Sequence, residues 1–182
     1  MKLAIVVPVY NEQDGLESFC VALRDVMMTL NCGWNVLFGD DGSEDGSWPV
    51  IQQLATENPE VLSLRLSRNF GHQTALSAGL AHISADAVIT MDADLQHPPN
   101  LMPQLVAQWQ QGFAVVNTIR AETDAVNPVK RYSSAIFYRL INRLSDVPIT
   151  PGGADFRLLS ATAVQALRSM PERQRFLRGM VS

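Results

Sequence analysis

Five short apolar runs set the strongest constraint on how this chain can fold: LAIVVPV (3–9), NVLFGD (35–40), VLSLRLS (61–67), AVITMDA (87–93) and FAVVNTI (113–119). Each has the length of a strand and is rich in branched residues, as strands covered on both faces are. Amphipathic stretches separate them. Leu16, Phe19, Cys20, Leu23, Val26, Met27 and Leu30 share one helical face. Trp48 to Ala55, His72 to Ile83 and NLMPQLVAQWQQG (100–112) supply three more helical patterns. This alternation predicts an α/β protein with a mostly parallel, doubly wound sheet, helices on both faces and right-handed crossovers. Ligands of such sheets sit beyond the carboxyl ends of the strands. That rule gathers four segments on one rim: PVYNE (8–12), DDGSEDGS (40–47), RNFGHQ (68–73) and DADLQH (92–97).

The fourth segment lies within ITMDADLQHPPN (89–100), where two carboxylates follow a buried strand. On an extended strand Asp92 and Asp94 would leave the same side roughly 7 Å apart. Two carboxylates so close repel unless a cation or an Arg/Lys cluster neutralises them. Gln96 continues the parity with a neutral carbonyl. Hard oxygen donors of this kind suit Mg²⁺ or Mn²⁺, and Mg²⁺ fills its remaining positions with phosphate oxygens and water. The stretch therefore calls for a phosphorylated ligand. The alternative is an acidic turn capping a helix that starts at Pro98 and Pro99.

A chain of 182 residues with 47% hydrophobic and 18% charged residues suits one globular domain. Its net charge of −4 argues against a general nucleic-acid binder. Cys20 and Cys32 have no metal-ligand spacing and read as free thiols in a reducing compartment. The apolar opening MKLAIVVPVY reads as a buried strand, too short for a signal peptide. No run approaches the roughly 20 apolar residues of a membrane span. Neither GxGxxG after the first strand nor GxxxxGK[ST] occurs, which argues against hydride-transfer and P-loop enzymes.

Beyond Ile119 the pattern changes. RAETDAVNP (120–128) is polar and ends in proline, the composition of a loop. It leads into VKRYSSAIFYRLINRLSD (129–146), where Ile136, Phe137, Leu140, Ile141 and Leu144 form an apolar face and Lys130, Arg131, Arg139 and Arg143 add charge. Such a helix either packs on its own domain or lies on an anionic membrane surface. ADFRLLSATAVQAL (154–167) and the arginine-rich MPERQRFLRGM (170–180) follow.

VVPVYNE, DDGSEDGS, RNFGHQTALSAG, MDADLQHPP, ADFRLLS and ERQRFLRG occur in the order in which the family 2 glycosyltransferases carry them. Over essentially its whole length the chain resembles that family, and within it the polyprenyl-phosphate glycosyltransferases, which include dolichyl-phosphate mannose synthase and bactoprenol glucosyl transferases. The resemblance implies a GT-A fold, a nucleotide-sugar donor, a divalent cation and inverting transfer of the sugar. On its terms Pro8, Tyr10 and Glu12 look like the donor-nucleotide pocket, with Asp41 or Asp40 reaching the base or ribose. Arg68, Asn69 and Gly71 border that pocket. Asp92, Asp94 and Gln96 resemble the metal site, a DXD motif. Arg120, Lys130, Arg131 and Arg178 match basic positions facing the donor or acceptor phosphates, and bidentate arginine suits phosphate geometry. Asp155 resembles the catalytic base or its positioner near the acceptor, with Arg157 alongside. Arg173 and Arg175 read as a solvated face.

The expected acceptor is a polyprenyl phosphate on the cytoplasmic face of a membrane, serving the cell envelope. Relatives of this kind continue past RFLRG into a membrane-anchoring region. Residues 1–182 are therefore expected to be one catalytic domain without that region, itself soluble. Two other readings stay open: transfer to a carbohydrate hydroxyl, and a nucleotide-sugar-binding module without turnover. The sugar, the base and the oligomeric state are not legible in the sequence.

Overall fold

A computed structural model describes residues 1–94, 96–119 and 153–170. The basic helix expected at 129–146, together with Arg120, Lys130, Arg131, Arg173, Arg175 and Arg178, lies outside the described residues. Strands β1 (Lys2–Val9), β2 (Gly33–Asp40), β3 (Val61–Arg65), β4 (Ala87–Thr90), β5 (Val115–Ile119) and β6 (Gly153–Ser160) form one six-stranded sheet in the order β3-β2-β1-β4-β6-β5. Helices α1 (Leu16–Thr29), α2 (Ser47–Glu57), α3 (His72–His82), α4 (Met102–Gln110) and α5 (Ala161–Ser169) cover it, with a 3₁₀ turn at Pro99–Leu101. Among the described residues no helix is long and apolar enough to cross a membrane.

Alternate residues of the strands feed two cores. Leu3, Ile5, Val7, Phe38, Ile89 and Phe156 pack against α1, α2 and α4 through Phe19, Leu23, Ile51 and Leu105. Ala4, Val6, Leu37, Val88 and Leu159 face Leu76 and Leu80 of α3 and Val164 and Leu167 of α5. The continuous apolar character of β1 follows from this two-sided burial.

All five strands expected from the sequence are present, and β1 to β4 are mutually parallel. A sixth was not foreseen. β6 pairs antiparallel with both β4 and β5, so it separates the fifth apolar run from the others. The segment concealed itself because its alternation places Asp155 and Arg157 on one side and Phe156 and Leu158 on the other, and the two polar residues satisfy each other inside the fold. A second difference concerns Asp92 and Asp94. The ladder of β4 ends at Thr90, so the two aspartates occupy the turn after the strand rather than the strand itself. The Gln96 N–H donates to Asp94 Oδ1 at 3.0 Å, a local bond of the kind that replaces extended pairing.

Helix α3 lies close on β1 because residue 79 has no side chain. A Cβ there would run into Val6 Cγ1 and stand 3.3 Å from Leu37 Cδ2. In an exposed helix Gly→Ala gains about 1 kcal/mol, whereas overpacking a core costs about 1–3 kcal/mol. Gly79→Ala should therefore lower stability despite the better helix former. Urea unfolding checks the sign, and a stabilised variant would contradict this packing.

Candidate active site

The rim beyond the carboxyl ends of β1, β2 and β4 is a cleft of about 520 Å³ lined by Pro8, Tyr10, Glu12, Asp41, Asn69, Gly71, His72, Gln73, Asp92, Asp94 and Asp155, among others. Its floor is the sheet, and its walls are the four loops anticipated from the sequence.

Hydrogen bonds bind the first two loops together. Asn11, in the left-handed region at φ 56°, donates its N–H to Ser43 Oγ at 3.0 Å and accepts from Glu44 N at 2.9 Å through Oδ1. Glu12 N donates to Ser47 Oγ at 2.8 Å, and Gly46 N donates to Gln13 Oε1 at 2.7 Å. Much of DDGSEDGS thus acts as a scaffold, with Ser43 and Ser47 buried and fixing the loop that presents Tyr10 and Glu12. Tyr10 remains 42% exposed at the mouth, open to stack on a planar ring.

The adjacent aspartates at the end of β2 do different work. Asp40 is fully buried, pairs with Arg65 Nε at 3.0 Å and accepts from Ser43 N at 3.2 Å; it does not line the cleft. Asp41 does line it, and each of its oxygens accepts a main-chain N–H at 2.8 Å, from Phe70 and from Gly71. Gly42 makes this approach feasible. Its φ is +72°, and a Cβ there would lie 2.5 Å from the Arg68 carbonyl carbon. Arg68 stands outside the cleft lining, its guanidinium 4.3 Å from the centre of the Phe70 ring.

Asp92 and Asp94 both face the cleft. Asp92 Oδ1 accepts from His72 Nε2 at 2.8 Å, and its Oδ2 lies 3.8 Å from His97 Nε2. His97 is buried with its ring against Phe156. Gln96 is exposed; it meets Asp94 through its main-chain N–H, and it is absent from the cleft lining. Burial first, and then the negative charges of Asp94, Asp45 and Asp92, push the Glu12 carboxyl above its ordinary value.

Asp155 enters from β6. The β4–β6 register runs Ala87↔Ser160 to Thr90↔Arg157, and carrying it two residues further sets Asp155 level with Asp92. Thr90 Oγ1 donates to the Asp155 carbonyl at 2.6 Å, and Arg157 Nη2 donates to Asp155 Oδ1 at 3.1 Å. Arg157 is buried and lies behind Asp155 rather than on the cleft surface. The structure therefore brings Pro8, Tyr10, Glu12, Asp41, Asn69, Gly71, Asp92, Asp94 and Asp155 to one cleft and places Asp40, Arg68, Gln96 and Arg157 around it. His72, Gln73 and His97 were not picked out beforehand. They sit inside the quoted rim motifs, but a single histidine in each carries no spacing that singles it out.

The sequence matches the family model described as Glycosyl transferase family 2 over residues 4–168. It is 37% identical over 182 residues to a prophage bactoprenol glucosyl transferase homolog of Escherichia coli (strain K12), covering 100% of this chain and 60% of that protein. Identity to the bactoprenol glucosyl transferase of Shigella phage SfV is also 37% over 182 residues, covering 100% of this chain and 59% of the relative. The chain thus spans less than two thirds of the length of these relatives. Among solved structures, a mannosyltransferase from Pyrobaculum calidifontis in complex with GDP-Man and Mn²⁺ superposes with a TM-score of 0.61 at 19% identity, over 93% of this chain and 47% of that one. A mannosyl-3-phosphoglycerate synthase from Rubrobacter xylanophilus gives 0.63 at 20% identity, over 88% and 53%. The fold these structures share with this chain is GT-A. With the family pattern extending from β1 through the rim loops to β6 and α5, the chain belongs to family 2 of the glycosyltransferases.

Proposed function

We propose that this chain is the catalytic domain of a metal-dependent, inverting glycosyltransferase that moves a hexose from a UDP- or GDP-sugar to a polyprenyl phosphate. The observation that carries the reading is the convergence of Tyr10, Glu12, Asp92, Asp94 and Asp155 on one cleft at the carboxyl ends of the strands. The named bactoprenol glucosyl transferases among its relatives support the lipid phosphate acceptor. In the same sense, structures of similar fold in complex with GDP-Man and Mn²⁺, or with Mn²⁺ and UDP, support the donor class.

The cleft fits a divalent cation. Among the described residues no three His, Cys, Asp or Glu side chains gather closely enough to hold a metal by themselves. That suits an ion taking a carboxylate or two from the protein and the rest of its shell from phosphate oxygens and water. Asp92 and Asp94 would hold it; the Glu12 carboxyl nearby is pushed up first by burial and then by the charges of Asp94, Asp45 and Asp92, which such an ion would offset. When bound, the ion supplies charge stabilisation to a departing nucleoside diphosphate, which gains negative charge in the transition state. The protein groups do the remainder. Tyr10 covers the base, the loop held by Asp41 borders the nucleotide, and Asp155, kept in place by Arg157, positions the acceptor. A phosphate monoester is already mostly ionised at pH 7, so Asp155 need not remove a proton from it.

Calorimetry with UDP- and GDP-sugars in Mn²⁺ tests the donor site. Asp94→Asn should abolish the metal-dependent part of donor binding, and equal affinity with and without a chelator would overturn the metal requirement. Asp155→Asn should lower kcat through lost positioning of the acceptor, short of the roughly 10²–10⁴-fold that loss of a general base costs, while the residual rate stays flat above pH 7. A residual rate climbing about tenfold per pH unit would instead indicate a neutral hydroxyl acceptor. Glu12 gives a pH signature free of substrate. A carboxyl whose folded pKa is raised contributes stability that is complete below its unfolded value, near 4.5, and is lost as pH rises through the folded one. Wild type should therefore lose ground to Glu12→Gln as pH rises above about 4.5 without divalent cations. Urea midpoints across that range check it, and a pH-independent difference would refute the electrostatic account.

A further inference from the structure

His72 is the first residue of α3 and part of the cleft lining, and its Nε2 lies 2.8 Å from Asp92 Oδ1. On its other side Gln73 Nε2 lies 3.4 Å from His72 Nδ1. An ionised carboxylate can only accept, so the proton must sit on Nε2. In a neutral imidazole Nδ1 is then an acceptor, and the Gln73 amide N–H is oriented to donate to it. The two contacts form one directed chain, from the Gln73 amide to the ring to Asp92. The Nε2–H donor fixes the orientation of the Asp92 carboxylate in the cleft lining.

The ring itself rests on fixed backbone. Gly71, the residue before it, donates to Asp41 Oδ2 at 2.8 Å, and its carbonyl accepts from Thr74 N at 2.8 Å in the first turn of α3. The start of the helix is thus tied to the end of β2, while Asp92 follows β4. His72 bridges two loops that otherwise have no covalent reason to keep a constant separation.

We propose that His72 is a positioning residue for the donor–metal site, fixing the Asp92 carboxylate through Nε2–H with Gln73 setting its tautomer, an inference that rests on the donor and cation reading above. Partners that orient metal-binding side chains from behind typically contribute 10–100-fold in metal affinity. His72→Ala should therefore weaken Mn²⁺-dependent UDP or GDP binding by roughly tenfold or more, leaving weak binding of the same nucleotide in chelator unchanged. His72→Gln, which keeps an N–H donor on a side chain of similar reach, should recover most of the loss. Gln73→Ala should give a smaller loss of the same kind.

The experiment titrates Mn²⁺ with UDP and with GDP into wild type and the three variants, following free Mn²⁺ by electron paramagnetic resonance and nucleotide by calorimetry. Thermal midpoints show that each variant is folded. Unchanged Mn²⁺-nucleotide affinity in His72→Ala, with binding intact in wild type, overturns the positioning role alone. An equal loss with and without Mn²⁺ also overturns it, since His72 would then contact the nucleotide itself. Failure of His72→Gln to recover affinity counts against the hydrogen bond as the cause. Wild type that binds neither nucleotide with Mn²⁺ overturns the donor reading, and this inference with it.

Discussion

The Asp41 carboxylate is the contact on which the rest of the cleft depends. It is 2% exposed, and both of its oxygens accept main-chain N–H groups from the loop that opens α3. Hydrogen bonds to a charged group contribute about 1.5–3 kcal/mol each, and removing the acceptor would take the Asp41 bond from Phe70 N and leave Gly71 N with Asn69 Oδ1 at 3.0 Å. Asp40, the residue before it, holds Arg65 of β3. Successive side chains of a strand point to opposite faces, so two adjacent acids secure two different neighbours of β2. An identical pair of letters in the sequence thus carries two separate structural duties.

The charge of the cleft follows from that framework. Loops built to accept main-chain N–H groups with Asp and Ser side chains concentrate acids at the strand ends. Asp45 sits in the scaffold, yet its charge contributes to raising the Glu12 carboxyl, together with Asp94 and Asp92. Among the described residues the cleft lining carries Glu12, Asp41, Asp92, Asp94 and Asp155, a set of carboxylates that a cation would offset. The scaffold and the proposed metal requirement therefore have a common origin in the acidic composition of the same loops.

How much of this was legible in the sequence differs by element. The five apolar runs located five strands, and the strand-end rule gathered four loops on one rim, because two-sided burial and topology leave strong local marks. β6 left none. Asp155 and Arg157 are buried polar residues whose cost is met by each other, and no local pattern reports a partner two residues away across a pleat. The i, i+2 spacing of Asp92 and Asp94 assumed an extended strand, whereas β4 stops at Thr90 and a turn carries both to the cleft. Gly42 and Gly79 likewise look like ordinary glycines until the backbone or side chain that approaches each one is known.

The insertion of β6 between β4 and β5 also orders the chain in time. β1 to β4 assemble from contiguous sequence, each next to a strand formed within the first 90 residues. Among the described residues β5 pairs with β6 alone, so that pairing waits on residues 153–160. Thr90 pairs with Arg157 far along the sequence, and closing so long a loop costs entropy before any contact offsets it. The topology draws most of the cleft lining from the first 94 residues and leaves Asp155 to β6, which reaches that cleft from far along the chain.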